Sequence, residues 1–72
     1  MRMIMAIVKV IEVIAGSDKS FDDATENALK EASKSVKNIK SIYINEMKAI
    51  VENNKIVSYG VNAKISFEII DK

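Results

Sequence analysis

The chain has 72 residues, eleven basic and ten acidic for a formal net charge of +1, with neither cysteine nor histidine. At this size a single core leaves only ~3–5 kcal/mol of net stability; disulfides and nearly all zinc sites are excluded as remedies, so association between copies is the expected one. Thiol nucleophiles, imidazole bases and redox pairs are excluded too, and the balanced charge gives no nucleic-acid footprint.

The first element is an apolar, β-branched run from Met3 to Ile14, interrupted on opposite parities by Lys9 and Glu12. Strict alternation fails, as expected of a strand covered on both sides or packed on a neighbouring subunit. Lys9 and Glu12 also break the run well short of a membrane span or leader, so the chain reads as cytoplasmic and without a membrane partner. Met1, Met3 and Met5 read as terminus and core filler rather than a soft-metal site.

After a short loop, Ser20 to Ile39 carries a helical period, with Phe21, Ala24, Ala28, Leu29, Ala32, Val36 and Ile39 at steps of one, three and four. Ser20 stands where an N-cap belongs, and acids before lysines complement the helix dipole. Glu26 and Lys30 form a favourable pair at a spacing of four, and Asn38 takes a C-terminal capping role. The small residues Ala24, Ala28 and Ala32 predict close approach of a sheet.

From Ser41 to Glu52 the pattern turns β, with Ile42, Ile44, Glu46, Lys48 and Ile50 on one parity and Tyr43, Asn45, Met47, Ala49 and Val51 on the other. Glu52-Asn53-Asn54-Lys55 predicts a hairpin turn, since asparagine tolerates positive φ. From Ile56 to Ile70 the alternation is clean: Val57, Tyr59, Val61, Ala63, Ile65, Phe67 and Ile69 face a core. Such a strand reaches ~50 Å against a compact diameter near ~30 Å, so it bends round the helix, projects beyond the subunit, or does both. The order is β-α-β-β in a single domain, 1–72. It is an α+β fold whose three-stranded antiparallel sheet wraps one helix, with the last strand between the first two. Its open apolar edges are a second reason to expect a defined oligomer.

Several strings, in order and spacing, resemble the dodecin family over nearly the whole length: Lys9-Val10-Ile11-Glu12-Val13, Gly16-Ser17, Ser20 to Ala24, Asn27-Ala28, Glu31 to Val36, Asn38-Ile39, Tyr59, and Val61 to Phe67. The resemblance implies a hollow homo-oligomer of twelve subunits that stores or buffers flavin (riboflavin or FMN) without catalysis. In flavin-binding members a Trp at the start of the second strand stacks on the ring and a Gln early in the third bonds its polar edge. The matching positions here hold Ser41 and Gly60, which makes classical flavin binding doubtful; read without the family, they are a polar strand entry and a strand glycine.

Tyr43 and Tyr59 are the phenols from which a substituted pocket could be built. Asp18, Asp22, Asp23 and Glu26 form the densest acidic group, suited to calcium or magnesium or else simply to a solvated helix start. Glu12, Glu46, Glu52 or Glu68, repeated round a symmetry axis, would give a carboxylate ring for a divalent cation. Lys30, Lys34 and Lys37 could meet a phosphate, including that of a flavin nucleotide, or form a wet face. Lys, Tyr and carboxylates form no catalytic constellation, so the reading is a non-enzymatic protein sequestering a small ligand or ion. The rival is a structural or interaction module that offers its sheet edges to a different protein.

Overall fold

The computed structural model describes residues 6–70; Met1, Met3 and Met5, and the start of the first predicted strand, lie outside that range. The element order is β1 (Ala6–Ser17), α1 (Phe21–Ser33), β2 (Ile39–Glu52) and β3 (Lys55–Ile70). The strands form one sheet in the order β1-β3-β2, and β3 runs antiparallel to both neighbours. The expected β-α-β-β architecture with the last strand central is therefore observed.

The helix starts where expected. Ser20 is extended, and its Oγ accepts from the Asp23 N–H at 2.9 Å. Ser17 at the end of β1 reinforces the turn, donating from Oγ to Asp23 Oδ2 at 2.6 Å and accepting from the Lys19 N–H at 2.8 Å. Asn27 Nδ2 donates to the Gly16 carbonyl at 2.9 Å, tying the helix to the strand before it.

The helix ends earlier than its periodicity suggests. Lys34 is the C-cap, and the Ser35 and Val36 N–H groups both donate to the Ala32 carbonyl, closing the last turn. Asn38 is not the cap: it adopts φ 62° in the link to β2, where its carbonyl accepts from the Glu68 N–H at 3.0 Å. Lys37 consequently leaves the helical lysine row. The expected Glu26–Lys30 pair gives way to an exposed Lys34–Glu31 pair at 3.3 Å, of a kind worth at most ~1 kcal/mol.

Ala24, Ala28 and Ala32 are buried against the sheet, opposite Val61, Ala63, Ile65 and Phe67 of β3. Methyl-sized side chains let the helix sit close enough for Ile65 to lose all solvent contact. Phe21 and Tyr59 meet edge to face at 5.0 Å, closing the core at the helix start. Of the seven β3 residues expected on the core face, Val57 and Ile69 remain 41% and 40% exposed because they run past the helix.

Asn53 and Asn54 both have positive φ between the paired residues Glu52 and Lys55, the two-residue turn whose twist suits a hairpin. The hairpin carries β2 and β3 beyond the helix, and the subunit measures 61 × 19 × 16 Å. Of the two ways to fit an over-long strand, projection is plainly used.

Pairing corrects the parity expected for β2. Register shifts fall between Ile39 and Ser41, between Ile44 and Glu46, and between Ile50 and Val51. Ile42 and Ile44 pair with the buried Ile65 and Ala63, so they face the helix; beyond the bulge, Glu46 and Lys48 pair with Asn62 and Gly60 on the other face. An extra residue in one strand turns every later side chain over, and sequence alternation alone does not show it.

Candidate functional site

The face of the sheet away from the helix is built from alternate residues of all three strands. β1 contributes Val8, Val10, Glu12, Ile14 and Gly16; β3 contributes Gly60, Asn62, Lys64 and Ser66; β2 contributes Ser41, Tyr43, Glu46 and Lys48. Much of it is apolar and bare: Ile14 is 80% exposed, Tyr43 65% and Val8 60%. β1 thus has Ile11, Val13 and Ala15 half-buried on the helix side and an equally apolar face that the chain leaves open, which is the broken alternation seen in its sequence.

A hollow of about 370 Å³ lies here, lined by Ile14, Glu46, Lys48, Gly60 and Asn62 together with Met47 and Val61. The chain's two glycines, Gly16 and Gly60, stand directly opposite each other on β1 and β3. A Cβ at Gly16 would meet the Tyr59 carbonyl oxygen at 3.3 Å, a tight contact that β1 and β3 avoid by having glycine there. At Gly60 a Cβ would touch only Lys48, at 3.5 Å from Cγ and 3.6 Å from Cε. The stem of Lys48 thus lies over the space that a larger residue at position 60 would claim.

Ser41 lies at the other end of the strand pair. It is opposite Ser66, and the two hydroxyls are 2.5 Å apart. Positions 60 and 66 of β3 are ~20 Å apart at ~3.3 Å per residue. One chain therefore does not bring Ser41 and Gly60 together; a ligand touching both positions must lie between subunits. Tyr43 is on the open face beside Lys64, whereas Tyr59 is on the helix side against Phe21. Within a chain the two phenols share no site.

The acidic residues are also dispersed. Glu12 is on the open face opposite Lys64; Asp22 lies in the first helical turn, and Asp23 is held by Ser17. Asp18 is exposed in the β1–α1 loop. Among the described residues no three acidic side chains gather as a metal site would require. Lys30 and Lys37 border a second, more open groove behind the helix, while Lys34 is drawn to Glu31. Asn62 and Lys48 stand out in the structure but not in the sequence. The one available signal was an asparagine within a strand, where that residue is depleted.

The sequence matches the family model described as Dodecin over residues 7–70. The chain belongs to the dodecin family. Its fold agrees with a dodecin from Streptomyces davaonensis at TM-score 0.84 and 21% identity, covering 93% of this chain and 97% of that one. A dodecin from Streptomyces coelicolor matches at TM-score 0.84 and 21% identity, covering 93% and 96%. The tt0972 protein from Thermus thermophilus matches at TM-score 0.87 and 18% identity, covering 94% and 100%. No curated protein sequence matches this one. Dodecins are homo-oligomeric small-molecule-binding proteins, a property that suits the open apolar face of this subunit. Among the described residues no helix is long and apolar enough to cross a membrane.

Proposed function

We propose that this dodecin assembles as a hollow dodecamer that sequesters a small ligand or ion without turning it over, and that it has lost the usual flavin-stacking mode. The observation that carries this reading is the state of the two anchor positions. Ser41 offers a hydroxyl already engaged with Ser66, and Gly60 offers no side chain, its space partly taken by Lys48. Neither can stack on a ring or bond its edge as an indole and an amide would. The bare face around Ile14 and Tyr43 still favours an assembly with enclosed ligand space.

The test is a riboflavin fluorescence titration of the wild-type protein and of Ser41→Trp combined with Gly60→Gln. Losing a stacking partner worth ~1–3 kcal/mol and a net hydrogen bond of ~0.5–1.5 kcal/mol forgoes about 1.5–4.5 kcal/mol. That corresponds to roughly tenfold to two-thousand-fold in dissociation constant. The double variant regains part of it and exceeds the sum of the single variants, since the amide acts only on a ring already held. Tight, quenched binding by the wild-type protein contradicts the reading. No gain in the double variant, with assembly intact, shows that the two positions share no ligand.

A second reading, favoured by the exposed ring of Tyr43 on the open face, is a flavin store with a substituted pocket. It predicts a yellow purified protein.

A further inference from the structure

Two features at opposite ends of the subunit are each left incomplete. Past the helix start, where Phe21 meets Tyr59, β2 and β3 run on unsupported, and Ile50, Val51, Ile56 and Val57 are all exposed around the Asn53-Asn54 turn. Toward the other end, where the Asn38 carbonyl accepts from the Glu68 N–H, an open groove of about 720 Å³ lies between α1 and the start of β2. Leu29, Val36 and Ile39 give it an apolar lining, together with Glu26, Lys30 and Lys37. The helix packs over β1 and β3 and barely reaches β2, which leaves the groove unfilled and Leu29 40% exposed.

A projecting apolar finger and an apolar groove are complementary, and their charges agree. Glu52 at the turn suits Lys30 and Lys37, while Lys55, paired across from it, suits Glu26. Finger and groove cannot meet within one chain. Ser33 in the groove is ~18 Å along the helix from Phe21, and Lys55 is ~13 Å beyond Tyr59 in the opposite direction, which separates them by ~30 Å. We propose that the hairpin tip of one copy seats in the groove between α1 and β2 of the next copy, packing its exposed aliphatic residues on Leu29, Val36 and Ile39. The contact is heterologous, so it repeats from copy to copy and closes a ring. It rests on the assembly reading above and adds what the open face does not supply. A face packed on its own copy about a twofold axis gives only a pair, and a closed shell needs a second kind of contact.

The chain has no cysteine, so a pair introduced by substitution reports one contact cleanly. Full-length Lys55→Cys, Ser33→Cys and the double variant are assembled at micromolar concentration, treated with a short bismaleimide, and read by denaturing gel and native mass. The double variant should give a ladder of covalent dimers, trimers and larger species, because each copy offers both a finger and a groove; neither single variant should cross-link. Cross-linking of either single variant shows like meeting like and overturns the proposal. No ladder from the double variant, with its native mass equal to that of the wild type, overturns it too and leaves the twelve-chain reading standing. A wild-type mass of one or two chains contradicts that reading and the proposal together. Where the cysteines themselves lower the native mass, charge reversal decides instead. Lys30→Glu with Lys37→Glu should shift the mass toward smaller species at low salt, and Glu52→Lys added to them should restore it. A mass unmoved by the first two changes, or not recovered by the third, overturns the contact.

Discussion

The two faces of the sheet differ more than their sequences do. On the helix side, Val61, Ala63, Ile65 and Phe67 are buried beneath three alanines; on the other side Val8, Val10 and Ile14 are nearly as apolar yet more than half exposed. One helix of thirteen residues covers one face of a sheet whose longest strand has sixteen, so the chain completes one core and leaves another unfinished. Apolar surface is worth about 25 cal/mol per Å² when removed from water, so a second face this bare favours association. The covered face makes the fold, and the open face is the one that the proposed assembly would cover.

The sharpest way to break this comparison is to empty the covered face. Ile65→Ala should cost ~2–5 kcal/mol through lost burial and the cavity it leaves, measured by denaturant unfolding. Ala28→Leu, at the closest helix-to-sheet contact, should cost ~1–3 kcal/mol by overpacking. If it melts at the wild-type temperature and assembles normally, the alanine stripe is not the contact described. Ser20→Ala removes the cap and should cost ~1 kcal/mol. On the open face the smallest effect on folding is expected. Ile14→Lys should change subunit secondary structure by circular dichroism little, while light scattering shows smaller species. A loss of stability in denaturant unfolding as large as that of Ile65→Ala would mean that the two faces are not distinct.

Where the sequence sufficed and where it failed follows this division. Ser20, the alanine stripe, the Asn53-Asn54 turn and the alternation of β3 are local signals with local causes, and each appears in the fold as its chemistry predicts. The helix end was misread because Val36 and Ile39 continue the period after the backbone has turned at Lys34. The β2 parity was misread because a bulge depends on its partner strand, which the sequence of β2 alone does not specify. The candidate site was the least legible part. Ser41 and Gly60 stand out in the sequence through what they lack, but the hollow is lined by Ile14, Glu46, Lys48 and Asn62 beside Gly60, residues that only the cross-strand register brings together.

The central claim is that the open face is covered by further copies of the same chain and holds a small ligand. Native mass spectrometry of the untreated protein, at micromolar concentration and moderate salt, tests both halves in one spectrum. The account predicts a species of twelve chains carrying additional small mass. A spectrum dominated by one or two chains would contradict it.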